Sequence, residues 1–121
     1  MSSYIYTLSS PPPSLNNIFY NLPTGGRAKT GEYKAWRRAA AWELAAQRQA
    51  LGVKGPIAVP VAVEVLLPQA VRGDVDNRAK GALDALQAAG IILNDSLCDP
   101  VTIRRADVRQ TTIHITMRGA S

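Results

Sequence analysis

The 121-residue chain has few of the residues that build disulfides, imidazole metal sites or membrane spans. Its one cysteine, Cys98, excludes an intrachain disulfide and favours a reducing compartment. Its one histidine, His114, lies in a strand-like run without a serine or cysteine partner, so we expect no catalytic role for it. There is no run of about 18 apolar residues and no signal-like N-terminal segment, so we expect a cytoplasmic protein without a membrane anchor.

Acidic residues are also in the minority, with 9 Asp and Glu against 14 Lys and Arg and a net charge of +5. An excess of this sign favours a polyanionic partner, most commonly nucleic acid, although a basic protein without such a partner has the same composition. The basic residues are concentrated between Arg27 and Lys54, where Glu32 and Glu43 are the only acidic residues. We therefore expect a basic surface on this part of the chain.

Length and hydropathy pattern predict a single α+β domain over residues 1–121, with its elements in the order β-α-β-α-β-β. Tyr4 to Leu8 has the pattern of a strand that the following prolines end, and residues 15–30 have that of an irregular loop. An alanine-rich helix is predicted from Thr30 or Gly31 to about Leu51.

The second half of the chain alternates strand and helix patterns. Valines alternate from Ile57 to Leu67, and Pro60 within this run predicts an edge strand or a bulge. A second helix is predicted from Asp76 to Ala89, with Gly90 just past its end. Residues 101–108 and 111–117 have strand patterns and are predicted to form a hairpin. The expected architecture is a mixed sheet packed by two helices.

Two acidic segments interrupt the basic background. Asp74 and Asp76 lie where a strand gives way to a helix, and Lys80 follows Asp76 by four residues, on the same helix face. Asp95 follows the second helix. Each feature also has an ordinary structural explanation, because aspartate is a common helix cap and Lys80 is spaced to pair with Asp76 or Asp84.

The ligand types of these segments indicate a hard cation. Two neighbouring carboxylates repel each other unless a cation or a proton lies between them. Carboxylates without His or Cys suit Mg²⁺, Mn²⁺ or Ca²⁺ rather than Zn²⁺. An EF-hand is excluded because Ala79 and Ala85 stand where its loop needs glycine and glutamate. Mg²⁺ beside a basic surface suggests phosphodiester hydrolysis, provided that Asp95 folds back toward Asp74 and Asp76.

The order and spacing of these motifs resemble the RusA family of Holliday junction resolvases over nearly the whole chain. The matching residues are Pro12-Pro13-Ser14-Leu15-Asn16, Asp74-x-Asp76-Asn77-x-x-Lys80, Asp84-Ala85-Leu86, Gly90 and Leu93-Asn94-Asp95-Ser96. The resemblance implies a RusA-like fold and a homodimeric endonuclease, bacterial or phage-encoded, that cuts four-way junctions or other branched DNA. It also implies Mg²⁺ as the cofactor, with Mn²⁺ as a possible substitute.

The resemblance also assigns roles to individual residues. Asp74, Asp76 and Asp95 correspond to the metal-binding catalytic carboxylates, Lys80 to the catalytic lysine, and Asn77 to the asparagine beside the second carboxylate. With the basic segments, it leads us to expect DNA contacts from Arg27, Lys29, Lys34, Arg37, Arg38, Arg72 and Lys80.

Two positions depart from the family pattern. Asn94 stands where a second acid can occur, and Leu97 replaces a polar residue. These departures keep open an alternative, a protein that binds branched DNA without cutting it. A metal-dependent hydrolase of small phosphoesters is a third interpretation, which the excess of bases disfavours.

Overall fold

The computed structural model describes residues 3–14, 19–21, 23 and 27–118, and for 19–21 and 27–29 it describes the backbone alone. The strands and helices are β1 (Ser3–Leu8), β2 (Phe19–Asn21), β3 (Arg27–Lys29), α1 (Gly31–Ala50), β4 (Val61–Pro68), α2 (Ala79–Ala88), β5 (Cys98–Ala106) and β6 (Thr111–Met117). Short 3₁₀ turns at Asp76–Arg78 and Asp95–Leu97 precede α2 and β5. None of the described helices is long and apolar enough to cross a bilayer.

The main sheet has the strand order β1-β6-β4-β5 and mixes both pairing directions. Strand β6 pairs antiparallel with β1 and with β4, whereas β4 pairs parallel with β5. The α2 helix makes the crossover that a parallel pair requires. The predicted α+β domain with a mixed sheet and two helices is confirmed.

The predicted hairpin of the last two strands is wrong, because β4 lies between β5 and β6. Neighbouring strands are about 4.8 Å apart, so the link must span roughly 10 Å, which four extended residues can do. Residues 107–110 make that link. A short polar linker between two strands can therefore join direct neighbours in the sheet or cross over one intervening strand, and its sequence does not show which.

The segment 15–30 contains a small second sheet where the sequence predicted only a loop. Strands β2 and β3 pair antiparallel in the register Phe19 to Lys29 and Asn21 to Arg27. Strands of three residues are too short for alternation to be visible in the sequence.

The prediction from Pro60 is wrong in part, because β4 is a central strand and not an edge. Pro60 lies just before the strand, so its missing N–H removes no ladder bond, and its carbonyl accepts a 3.0 Å hydrogen bond from the Arg118 amide. The predicted irregularity is present as a register shift between Val61 and Val63 along β5.

The core lies between one face of the sheet and the two helices. Alternate residues of β4 and β6, including Val65 and Ile113, are fully buried against Leu44 of α1 and Leu86 of α2. The predicted extents of both helices hold to within a few residues, and Thr30 caps α1 by accepting a hydrogen bond from the Tyr33 amide. Burial of these apolar side chains holds α2 against the sheet.

The first turn of α2 packs closely on the proline segment that follows β1. A Cβ atom added to Gly81 would lie 3.2 Å from the Cβ of Pro12 and 3.6 Å from the ring of Trp36. The guanidinium of Arg78 donates a 2.7 Å hydrogen bond to the Pro12 carbonyl. The proline segment therefore packs directly against the start of the helix that carries Lys80.

This close approach predicts that Gly81→Val destabilises the protein by about 1–3 kcal/mol, the usual effect of overpacking. Gly31→Val is the matched control, because it is also a helical glycine and a Cβ there meets no atom within 4 Å. Valine has a higher helix propensity than glycine, so the control should be neutral or slightly stabilising. Thermal unfolding of both variants measures the difference, and equal melting temperatures would contradict the packing described.

Candidate active site

The ammonium group of Lys80 joins two acidic side chains that the chain brings together from different elements. Its Nζ lies 3.0 Å from Oδ1 of Asp84, one turn further along α2, and 3.7 Å from Oδ2 of Asp95, in the turn before β5. The sequence predicted both Lys80 and Asp95 as catalytic residues. The structure thus places these two together.

Asp84 is held on its other side by α1. Its side chain is only 11% exposed, and its Oδ2 accepts a hydrogen bond from the hydroxyl of Tyr33. Tyr33 is fully buried, and burial together with the Asp84 carboxylate raises the pKa of its hydroxyl. The hydroxyl therefore stays protonated and remains a donor, so that Asp84 connects α1 to the lysine.

Asp95 is oriented by the backbone of its short turn. The side chain of Asn94 accepts a 2.9 Å hydrogen bond from the Ser96 amide and so caps the turn. The Asp95 amide lies 3.3 Å from Oε1 of Gln87, near the end of α2. Asn94 thus has a structural role here.

The charges of the cluster stabilise one another. The hydrogen bond with Asp84 raises the pKa of Lys80, with a further contribution from the charge of Asp95, so Lys80 is a cation at neutral pH. Burial raises the pKa of the Cys98 thiol to about 11, and the charge of Asp95 adds to that effect. The thiol is therefore protonated beside Asp95 and is a poor nucleophile.

Asp74 and Asp76 lie in an exposed segment between β4 and α2. The strand ends at Pro68, so Asp74 is not in a regular strand, and Asp76 opens the 3₁₀ turn that leads into α2. Two arginines fix this segment by binding its carbonyl groups. Arg105 of β5 donates to Val71 and Gly73, and Arg78 donates to Arg72.

The predicted meeting of Asp74, Asp76 and Asp95 in one preformed metal cage is not observed. Within residues 3–14, 19–21, 23 and 27–118, no group of three or more His, Cys, Asp or Glu side chains is placed to hold a metal ion. Asp76 precedes α2, whereas Asp95 contacts Gln87 near its far end. The Asp95 carboxylate nonetheless reaches Lys80 in the first turn of α2, four residues after Asp76.

A polar groove of about 510 Å³ opens over the lysine cluster. Its lining combines the cluster with Arg37 of α1 and includes Lys80, Asp84, Gln87, Asn94 and Asp95. Arg37 and Lys80 both line this open groove, and cations of this kind bind the oxygens of a phosphate group.

The other predicted residues lie around this groove or away from it. Lys34 and Arg38 line a neighbouring groove together with Arg37. Arg72 is exposed in the segment before Asp74, and Asn77 is half-buried in the turn before α2. The side chains of Arg27 and Lys29 lie outside the described part of the chain.

Four residues that position the site were not predicted as site residues. Asp84 was recognisable as a possible partner of Lys80 from its spacing of four residues. Nothing in the sequence indicated Tyr33, which is 51 positions from Asp84, or Arg105, which binds a segment 32 to 34 residues away. Arg78 lies within the motif, but its partner Pro12 is 66 residues away.

Burial of Cys98 and the nearby charge of Asp95 predict how fast the thiol reacts. With its pKa raised, Cys98 should react slowly with iodoacetamide at pH 8, and its rate should increase as the pH approaches about 11. Asp95→Asn removes a nearby negative charge, so it should lower the thiol pKa and speed alkylation at pH 8 to 9, while burial, the larger cause, still keeps the reaction slow. Mass spectrometry of the alkylated fraction measures this.

Asp107→Asn, beyond the other end of β5, is the control that makes the same charge change at a distance. It should leave the alkylation rate of Cys98 as it is. An unchanged rate in Asp95→Asn would show that Asp95 does not lie beside the thiol.

Comparison with known proteins identifies the family. A sequence model described as "Endodeoxyribonuclease RusA" matches residues 10–118. A protein of Aquifex aeolicus named crossover junction endodeoxyribonuclease RusA is 29% identical over 116 residues, covering 94% of this chain and 89% of that protein. A protein of the same name from Escherichia coli is 34% identical over 97 residues, covering 80% of this chain and 78% of that protein.

A phage protein of the same name extends the set of relatives. The protein of Enterobacteria phage 82 is 32% identical over 96 residues, with 79% of this chain and 77% of the phage protein covered. The family match includes both acidic segments, Lys80 and the proline segment under α2. The chain belongs to the RusA family of endodeoxyribonucleases.

Proposed function

We propose that this protein is a Mg²⁺-dependent, structure-selective endodeoxyribonuclease that resolves Holliday junctions by paired, symmetric hydrolysis of phosphodiesters, in DNA recombination and repair. The crossover junction named in its relatives supports the substrate. The observation that carries the proposal is Lys80, held by Asp84 beside Asp95 in an open groove that Arg37 also lines.

The groove residues bind and orient the phosphate to be cut. Lys80 and Arg37 present two cations to its non-bridging oxygens, and Asp84 with Tyr33 keeps the lysine in place. Because the pKa of Lys80 is raised, it acts as a fixed positive charge and not as a base. Its contribution is therefore electrostatic, on the charge that develops at the phosphate.

The donor chemistry of the three aspartates fits Mg²⁺, although the described residues form no preformed cage. Mg²⁺ commonly binds through one or two carboxylates, waters and substrate phosphates and needs no all-protein cage. We propose that Asp74, Asp76 and Asp95 hold it together with the DNA, and that Mn²⁺ can replace it. When bound, the ion neutralises charge on the phosphate as a Lewis acid.

Symmetric cutting requires two equivalent sites. A two-fold homodimer supplies them, because each copy presents the same surface to one half of a symmetric junction. We propose such a homodimer on four-way or other branched DNA, in the cytoplasm of a bacterial host and encoded by the bacterium or a prophage. The bacterial and phage origins of the relatives support this setting.

Outside the groove, we expect exposed basic side chains of the protein to contact the DNA backbone. We propose that Lys34, Arg38 and Arg72 bind phosphates independently of sequence, since each is exposed and cationic. Arg27 and Lys29 belong to the same proposal on sequence grounds.

Asp76→Asn tests the proposal. It removes the charge but keeps the shape of the exposed side chain, so a synthetic four-way junction should still bind. Cleavage with Mg²⁺ should fall by about 100-fold or more, since each 1.4 kcal/mol of lost charge stabilisation slows the reaction tenfold. Asp107→Asn should cut at the wild-type rate, and EDTA should abolish cleavage by every variant.

The same assay separates the alternatives when a linear duplex and a small phosphoester are included as substrates. Junction binding without any cleavage by the wild type would identify the non-catalytic DNA-binding protein. Faster hydrolysis of the phosphoester than of the junction would identify the small-molecule hydrolase. Wild-type cleavage rates in Asp76→Asn would refute the assigned site.

A further inference from the structure

A tryptophan on the surface of α1 is almost fully exposed. Trp42 is 81% exposed, the largest fraction among the exposed large hydrophobic residues of the described chain. Lys34, Arg38 and Trp42 follow one another at intervals of four residues, so they share one face of the helix over about 12 Å. An exposed indole on a basic helix face is not explained by the packing of the core.

The same face borders an open groove between α1 and α2. Four alanines form its floor, and the small side chains leave a volume of about 480 Å³. Lys34, Arg37, Arg38 and Trp42 line its rim. We call this surface the α1–α2 groove.

The α1–α2 groove is continuous with the candidate active site. Arg37 and Ala88 line both the α1–α2 groove and the polar groove over Lys80. A strand whose phosphate contacts Lys80 can therefore continue past Arg37 toward Trp42. The axial span from Lys34 to Trp42 corresponds to about four nucleotides, taken at 3.4 Å each.

The charges on the rim decide which partner fits. Among the described side chains, Lys34, Arg37 and Arg38 form no ion pair with a carboxylate, and Arg37 contacts the Tyr33 ring at 5.8 Å. A second copy of the chain seated here would bring like charges together, whereas a nucleic-acid strand complements them. An indole beside phosphate-binding cations is the usual means of stacking an unpaired base.

We propose that the α1–α2 groove binds a DNA strand leading from the cleaved phosphate, with Trp42 stacked on a base unpaired near the branch point. The inference rests on the proposed function, because it takes branched DNA as the substrate. It adds a contact that reads the unpaired base, which an intact duplex does not offer.

Fluorescence tests the stacking directly. Trp36→Phe leaves Trp42 as the sole tryptophan, because the chain has two. In EDTA, which prevents cleavage, a four-way junction should quench the Trp42 emission and protect it from acrylamide. A linear duplex of the same length should do so much less.

Binding measurements provide an independent test that does not need the Trp36→Phe variant. Trp42→Ala should weaken junction binding in EDTA by roughly 5- to 100-fold, the usual effect of losing one stacked base. Trp42→Phe should keep most of the affinity. Ile5→Ala, at a 58% exposed residue of β1, is the control and should bind as the wild type does. Helical content should persist in Trp42→Ala, since alanine favours helix.

The outcomes separate this inference from the proposed function. The inference would be overturned if Trp42→Ala bound the junction as tightly as the wild type, or if adding the junction left the Trp42 emission unchanged. Cleavage of the junction by the wild type would still uphold the proposed function in either case. A sedimentation coefficient that falls in Trp42→Ala without DNA would make the groove a dimer interface and also overturn it. Failure of the wild type to cut any junction with Mg²⁺ would instead count against the proposed function.

Discussion

The candidate site depends on one ion-pair cluster, in which the ammonium of Lys80 lies between the carboxylates of Asp84 and Asp95. Through Asp84 and the Tyr33 hydroxyl the cluster reaches α1, and through Asp95 it reaches the turn before β5. It therefore joins both helices and the sheet at one point. A flexible lysine in water would sample many rotamers, but here two anions hold its charge in one place, as electrostatic catalysis requires.

The fold was predictable where periodic burial determines it. The alanine-rich pattern of α1 and the alternating valines of β4 reproduced their elements because each buries one face in the common core. Strand order was not predictable: β5 joins β4 in parallel, and β6 passes to the other side of β4. These neighbours are chosen by tertiary packing, and the short linker before β6 fits either arrangement. The β2–β3 pair was missed because three-residue strands carry no periodic signal.

The sequence identified which residues belong to the site, but it predicted only part of their arrangement in space. Lys80 and Asp95 meet as expected, since the return after α2 brings the second acidic segment beside the helix. Asp74 and Asp76 do not form a metal cage with Asp95 within the described residues. If the hard cation needs a DNA phosphate as one of its ligands, the metal site is completed only when the substrate binds. The supporting side chains, Tyr33 and Arg105, act from elements distant in sequence, where local patterns give no information.

The central claim is that Asp84 acts on the reaction by holding Lys80. The most direct measurement is a double-mutant cycle on single-turnover cleavage of a four-way junction, with Asp84→Asn, Lys80→Met and the two combined. The account predicts that Asp84→Asn slows cleavage by about 10- to 100-fold at unchanged junction affinity, as the loss of an orienting partner does. In the Lys80→Met background it should slow cleavage no further. Fully multiplicative effects of the two substitutions would contradict the account, because they would show that Asp84 and Lys80 act separately.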